Sequence, residues 1–349
     1  MHSSKIKFIF IHIKRSIIPI FFILFTLFLI LFSKDNLASA KQGLNLWVDS
    51  VIPSLFPFFI ATELLSHTNI IYYLGNVLNK IMRPLFNVPG EGAFALIMGI
   101  ISGYPTGAKI VSNFKQMKIC TSVECERLLA FTNNSGPLFI VGTVGTSLFY
   151  DTKTGFLLLF THILACITVG IVFRFWKYKD NENYRNNQII KHDTVSFLNL
   201  GEVIGDSIKS ATNTILMIGG FVVLFSVITS MLENSHFFDL ISFAISPFTN
   251  FIGINSNFLH GFFAGIIELT NGLGQICTLA TKNLSIQIIL ASFLLGFGGI
   301  SVMLQVLSIT SKNNISIKPY IIGKILHAFI SAFYTFIILY TIPFFNLNI

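Results

Sequence analysis

Apolar and polar positions divide the chain into two kinds of oily segment. Ser16 to Phe32 is one uncharged run, and Phe156 to Phe173, Ile215 to Leu232 and Ile325 to Phe344 are three more that hold at most a lone His162 or His327. Each approaches the ~20 residues a helix needs to cross the hydrocarbon core. The second kind is equally apolar but punctuated by Gly, Pro, Asn and Ser: "ISGYPTGAK" (101–109), "FTNNSGPLF" (131–139), "ELTNG" (268–272) and "LGFGGISVMLQ" (295–305). Between these lie two stripes at helical spacing. Asn76, Asn79, Lys80 and Arg83 form one polar face, and Asp239, Ser242 and Ser246 another, so each predicts an amphipathic helix.

The segments recur in order. "RPLFNVPG" (83–90) aligns with "SPFTNFIG" (246–253), "MGIISGYPTGAK" (98–109) with "AGIIELTNGLGQ" (264–275), and "LLAF" (128–131) with "ILAS" (289–292). Each half begins with a spanning run, Leu46 to Leu65 or Ile215 to Leu232. An amphipathic segment, a broken hydrophobic hairpin, a helix interrupted near its middle and a plain spanning helix follow. The expected fold is therefore all-α: a polytopic membrane protein with two inverted-topology repeats, each containing an amphipathic helix, a re-entrant helical hairpin and a broken transmembrane helix. The expected organisation is an N-terminal transmembrane anchor with a short external loop (1–42), a first repeat (43–174), a basic cytoplasmic linker (175–195) and a second repeat (196–349).

Charge supplies the orientation. Lys5, Lys7, Lys14 and Arg15 precede the first run, which places the N-terminus in the cytoplasm. Lys80, Arg83, Lys109, Lys115, Lys118 and Arg127 then fall on the inner side, as do the linker and Lys312 and Lys318, whereas Glu233 to Gln287 holds Lys282 alone. The two halves are expected to be antiparallel. Ala38-Ser39-Ala40 resembles a signal-peptidase site, but the run before it exceeds the ~7–15 residues of a signal core, so an uncleaved anchor is expected.

Composition agrees, since 53% hydrophobic against 11% charged residues and a mean hydropathy of +0.74 exclude an ordinary soluble domain. The net charge of +8 resides in short loops and reads as topology, so nucleic acid is discounted as a partner. Cys120, Cys125, Cys166 and Cys277 have no CxxC spacing and are read as small buried hydrophobes. No phosphate loop, metal site or nucleophile triad is present, so no catalytic residue, metal or cofactor is expected and the chain is not expected to be an enzyme.

Inverted repeats with broken helices point to a secondary transporter whose site lies where the breaks meet. Freed backbone at membrane depth survives only when buried in protein or lining a cavity. In the first hairpin Gly103 and Gly107 permit a turn and Pro105 ends the hydrogen-bond ladder. The helix restarting there, with Tyr104, Pro105, Thr106, Gly107 and Lys109, presents its positive end and an ammonium to an anion. Lys109 can equally snorkel to the cytoplasmic interface with Lys115 and Lys118. Asn133, Asn134 and Ser135 offer amide and hydroxyl groups, and Asn271, Ser301 and Gln305 are the second-half counterparts. Glu268, a carboxylate in an apolar segment, reads as a coupling or gating group, a proton or cation site, or a partner for Lys109. Asp49 and Glu63 are expected at the interface. The partners implied are a small anionic molecule, the lipid bilayer and a coupling ion, proton or sodium; a homo-oligomer is compatible with the sequence.

"ISGYPTGAKIVSNF", "ERLLAFTNNSGPLFIVGTVG", "GIIELTNG" and "GFGGISVMLQVLSI" resemble the YlbJ-type sporulation integral membrane proteins of the Gate, or nucleoside-recognition, family, which are distantly similar to concentrative nucleoside transporters. The resemblance covers roughly 43–345. It implies a role in endospore formation, in the mother-cell membrane around the forespore, as a carrier of dipicolinate. Lys109 and a helix N-terminus would then hold one carboxylate, and Asn133 and Asn134 the second or the ring nitrogen. Two alternatives stay open: a cation-coupled nucleoside transporter, and a non-transporting scaffold acting through the linker from Lys177 to Asp193. Hairpin one, with Tyr104, Thr106 and Lys109 where nucleoside carriers place an acidic or amide group, points away from nucleosides.

Overall fold

The computed structural model describes residues 2–178, 199–251, 256–279 and 284–341, which are helical almost throughout, with no strand among them. In an apolar chain this is the economical solution, because a helix satisfies its own backbone where no water is present. Five helical stretches among the described residues are long and apolar enough to cross a membrane: Ser33–Ser66, Thr152–Phe173, Leu200–Asn234, Leu284–Asn313 and Lys318–Thr341.

The N-terminal part comprises α1 (His2–Leu31), α2 (Ser33–Leu46), a wide π-helical turn (Trp47–Val51) and α3 (Ile52–Ser66). The segment 33–42, expected as a short external loop, is instead the start of α2, and the helix runs on into α3. Its packing explains this. Asp35 sits in the first turn where it complements the helix dipole. Gly43 lies against Ser226 and the Trp47 ring against Gly219, so the stretch lies along α9 (Leu200–Asn234) over its length.

The amphipathic α4 (Ile70–Phe86) ends at Asn87 in the left-handed region. A hairpin of α5 (Gly92–Ser102) and α6 (Thr106–Gln116) follows, then α7 (Ser122–Thr132), a π-helix (Leu138–Leu148) and α8 (Thr152–Phe173). After α9, the same order of element types recurs in α10 (Phe237–Phe251), a pair α11 (Ser256–Ile267) and α12 (Leu269–Cys277), the pair α13 (Leu284–Phe297) and α14 (Gly299–Thr310), and α15 (Lys318–Thr341). The expected amphipathic, hairpin and interrupted segments are thus helices with breaks at the anticipated places. Residues 179–198, which include most of the linker, and also Gly253, Lys282 and Phe344, lie outside the described residues.

Two apolar cores flank the breaks. One gathers Phe94, Phe114, Leu128 and Phe131 with Tyr320, and the other Ile140, Leu158, Leu273 and Leu294. Small residues let the helices approach closely, as membrane packing requires. Gly323 on α15 abuts Ala130 on α7, and Gly296 on α13 abuts Ala328 on α15. At one end, Thr121 and Glu124 form a capping box on α7, and Glu124 also pairs with Arg83 at 2.6 Å. The buried Arg127 donates to the carbonyls of Asn87 (2.8 Å), Trp176 (3.0 Å) and Lys177 (3.3 Å), which ties α4 and the chain after α8 to α7.

Candidate functional site

Hairpin one closes on the first broken helix. Gly103, at φ +78°, makes the turn that an L side chain rarely adopts, and a Cβ there would also crowd the Gly136 amide. Gly99 and Gly107 both press on the Thr132 carbonyl, where a Cβ would overlap the oxygen. The unwound residues 133–136 thereby sit between the two arms of the hairpin. Asn133 Oδ1 accepts from the Ala108 amide at 3.4 Å in the first turn of α6, and Asn133 Nδ2 donates to the Tyr320 hydroxyl at 3.2 Å.

The second half shows a matching meeting. Glu268 is extended between α11 and α12 and caps α12 by accepting from the Asn271 amide at 2.9 Å. Gly298 (φ +84°) separates α13 from α14, and a Cβ on Gly299 would sit 3.3 Å from the Leu269 nitrogen. Ser135 joins the two halves, donating its hydroxyl to Tyr104 at 3.2 Å and lying 3.5 Å from the Leu295 carbonyl. Tyr104 reaches Gly298 and is within electrostatic range of Glu268. All four breaks therefore converge around Tyr104, Asn133, Ser135 and Glu268.

One residue that the sequence pattern does not single out completes this constellation. Lys324 on α15 is fully buried, its Nζ donates to the Asn133 carbonyl at 3.2 Å, and its Cε lies 3.6 Å from the Cβ position of Gly298. It is in none of the ion pairs among the described residues. An ammonium buried without a carboxylate is costly, and such groups in membrane segments mark function. The α15 segment, expected as a plain spanning helix from Ile325, starts at Lys318 and buries Tyr320, Lys324, His327, Ser331 and Thr335 on one face. The 4-3-4-4 spacing of those residues is the signal that could have found it.

Other expected site residues are placed differently. Lys109 is turned away from the convergence and pairs with Glu63 at 2.5 Å, with Ser210 Oγ at 2.9 Å and Thr214 Oγ1 at 3.0 Å. Its partner is thus Glu63 on α3, not Glu268, because α6 lays its lysine face against α3 and α9. Asn134 turns toward α8, donating to the Phe131 carbonyl (2.9 Å) and to Cys166 Sγ (3.3 Å), and its Oδ1 has no partner. Thr106 Oγ1 and Gln305 Oε1 are also buried without partners, Ser301 is buried, and Asn271 is half-buried. Pro105 and Gly107 shape the turn and the contact with Thr132.

Asn133, Asn134 and Ser135 are each at most 2% exposed, so the convergence is closed to solvent. An apolar cavity of about 490 Å³ lies elsewhere, between α1, α2 and α9, bordered by Phe25, Leu29, Leu44 and Val223. It has none of the polar groups above.

The Gate family model, described as nucleoside recognition, matches residues 48–176 and 215–313, which takes in all four breaks and ends before α15. The chain is 34% identical over 339 residues to the sporulation integral membrane protein YlbJ of Bacillus subtilis (strain 168), covering 93% of this chain and 83% of that protein. No solved structure matches. The family match across both halves and the long relative, together with the apolar helices, place the chain in the Gate (nucleoside recognition) family as a multi-pass integral membrane protein.

Proposed function

We propose that the protein is a secondary carrier that moves a small aromatic dicarboxylate, dipicolinate, during endospore formation. The observation that carries this reading is the meeting of four helix breaks beside a buried ammonium, Lys324, which touches two of them, at Asn133 and Gly298, and has no carboxylate partner among the described residues. Unwound backbone and a lone charge at membrane depth are expensive, and a bound anion compensates both. In this reading one carboxylate of the substrate sits at Lys324, and Tyr104, Asn133 and Ser135 orient it. Gln305, Thr106 and Asn134 hold oxygens without partners that polar substrate atoms or water can use. Glu268 couples or gates through Tyr104. No catalytic residue, metal or cofactor takes part.

The halves 43–174 and 196–349 act as inverted repeats, with the N-terminus cytoplasmic and the protein in the mother-cell membrane around the forespore. Alternating access then consists of withdrawing one hairpin at a time. Hairpin one is held to α3 and α9 by Thr62–Ser102 (3.2 Å) and by the Lys109 contacts, so those bonds act as its latch. The family description favours a second reading, a nucleoside carrier.

Uptake of labelled dipicolinate into liposomes containing the purified protein tests the proposal, with Lys324→Gln and empty liposomes alongside. Flux above background that the variant lowers about tenfold or more, unaffected by excess uridine, supports it; one lost anion contact of about 1.4 kcal/mol suffices for that factor. Competition by uridine favours the nucleoside reading, and absence of flux under every imposed ion gradient overturns the carrier.

A further inference from the structure

The imidazoles of His162 on α8 and His327 on α15 lie with ring centroids 4.4 Å apart and planes tilted by 33°, both buried. Their partners fix the tautomers. The Ser135 amide donates to His162 Nε2 at 3.3 Å, so that nitrogen is bare and Nδ1 bears the hydrogen. His327 Nε2 faces the His162 carbonyl at 3.0 Å, which only accepts, so Nε2 bears the hydrogen and Nδ1 is bare. Both Nδ1 atoms are buried without a partner. The pair therefore holds an open proton-accepting nitrogen at His327 Nδ1.

The surroundings extend this site along α15. Thr335 Oγ1 lies 3.0 Å from Thr161 Oγ1 and 2.7 Å from Ser292 Oγ, its one hydrogen serving one of them, and Ser292 bonds Ser331 (2.8 Å), so a hydroxyl cluster joins α8, α13 and α15 beside the pair, Thr161 adjoining His162 in the chain and Ser331 standing one turn beyond His327. On the other side stand Lys324 and Tyr320. From Tyr320 to Thr335 the stripe covers about 22 Å of helix at ~1.5 Å per residue, most of a ~30 Å hydrocarbon core. Ionisable groups inside the membrane, histidines among them, mark proton relays in transport proteins.

Resting on the carrier reading above, we infer that the His162–His327 pair is a proton-binding site fed by the Thr161–Thr335–Ser292–Ser331 hydroxyls, and that the carrier moves its dianion together with a proton. The charged group facing the pair is Lys324 on α15, with Cys166 on α8 beside Lys324 and Tyr320 further along α15. Across Ser135 stands Tyr104, and through it Glu268 at the N-cap of α12. Lys324 is the charge that matters most. A second cation beside its ammonium in a dry interior is strongly disfavoured, so the empty cluster holds one positive charge. An arriving carboxylate neutralises Lys324 and permits one proton to bind His327 Nδ1. By linkage the bound proton favours the anion by the same factor. No covalent bond to the substrate forms or breaks.

The test uses proteoliposomes holding the full chain and labelled dipicolinate. Two readouts are taken: exchange of labelled for unlabelled substrate at equal pH, and accumulation under a one-unit gradient, acidic outside. A dianion with one proton still carries one negative charge, so the membrane potential is held at zero with potassium and valinomycin; one coupled proton per substrate then gives about tenfold accumulation in the wild type, one pH unit being worth about 1.36 kcal/mol. At saturating substrate, where the lost linkage to anion affinity does not show, His327→Gln should retain exchange within about twofold and lose the accumulation. Thr335→Val, which leaves the pair intact, should slow accumulation several-fold without lowering exchange; it keeps the test open if His327→Gln does not fold. Wild-type exchange with no gradient-driven accumulation overturns the proton site alone, as does accumulation that survives in both variants. Absence of exchange in the wild type overturns the carrier reading and this inference with it.

Discussion

The ammonium of Lys324 lies 3.2 Å from the main-chain carbonyl of Asn133 and joins α15 to the unwound end of α7. The contact satisfies one freed carbonyl but leaves the ammonium without a counter-ion among the described residues. Stability and function then pull in opposite directions at one residue. Replacing Lys324 by Met removes a buried charge and fills similar volume. It should raise the apparent Tm of the detergent-purified protein by about 2 °C or more, at the ~2–4 °C per kcal/mol of chains this large, while abolishing anion transport. A variant that is less stable and still transports would refute that assignment.

The Lys109–Glu63 pair should behave as a latch rather than a ligand. Both side chains are mostly buried, so Lys109→Gln or Glu63→Gln each leaves an unmet partner, costing about 1–3 kcal/mol. The exchanged pair, Lys109→Glu with Glu63→Lys, should recover at least half of that loss. A double-mutant cycle on apparent Tm measures the coupling; a value near zero would remove the latch.

Glycines at the breaks should divide sharply from those on the outer face of α9. At Gly107 a Cβ would overlap the Thr132 carbonyl, so Gly107→Ala should lower transport about tenfold or more and destabilise the fold. Gly205 has nothing within 4 Å, and there Gly205→Ala should be neutral or stabilising by about 0.5–1 kcal/mol. Parallel thermal melts and uptake assays on the two variants decide the matter.

Asp151 provides a pH-dependent contribution outside the bundle. Partial burial pulls its carboxyl up, but the bonds it accepts from the Thr154 hydroxyl and amide and the Lys153 amide prevail and hold it below the ordinary carboxylate value. Because the folded value is depressed, the stabilisation is present above the unfolded value of about 3.9 and is lost as pH falls through the folded value. Asp151→Ala should cost about 1 kcal/mol at pH 7, and the difference from wild type should shrink in melts below about pH 4.

Much of this architecture is legible in the sequence because glycine, proline and consecutive amides are costly inside a continuous apolar helix and so mark where it breaks. The turn at Gly103, the unwinding at Asn133 to Gly136, the Glu268 cap and the Gly298 break all fall within the quoted strings. Lys324 does not stand out because it directly precedes the apolar run that begins at Ile325, and because one polar residue per turn scarcely lowers hydropathy. Lys109 is visible as a charge beside a break, but which neighbour it meets depends on how α6 packs on α3 and α9. That is a property of tertiary packing, as is the approach of His162 to His327, 165 residues apart.

Binding of an aromatic dicarboxylate at the convergence through Lys324 is tested most directly at equilibrium, without transport. Dipicolinate should raise the apparent Tm of the purified wild-type protein, by a stabilisation of about 2.7 kcal/mol at one hundred times Kd. Lys324→Gln should show no shift, and uridine should give none with either protein. Equal dipicolinate shifts in wild type and Lys324→Gln, or a shift with uridine alone, would contradict Lys324 as the anion site.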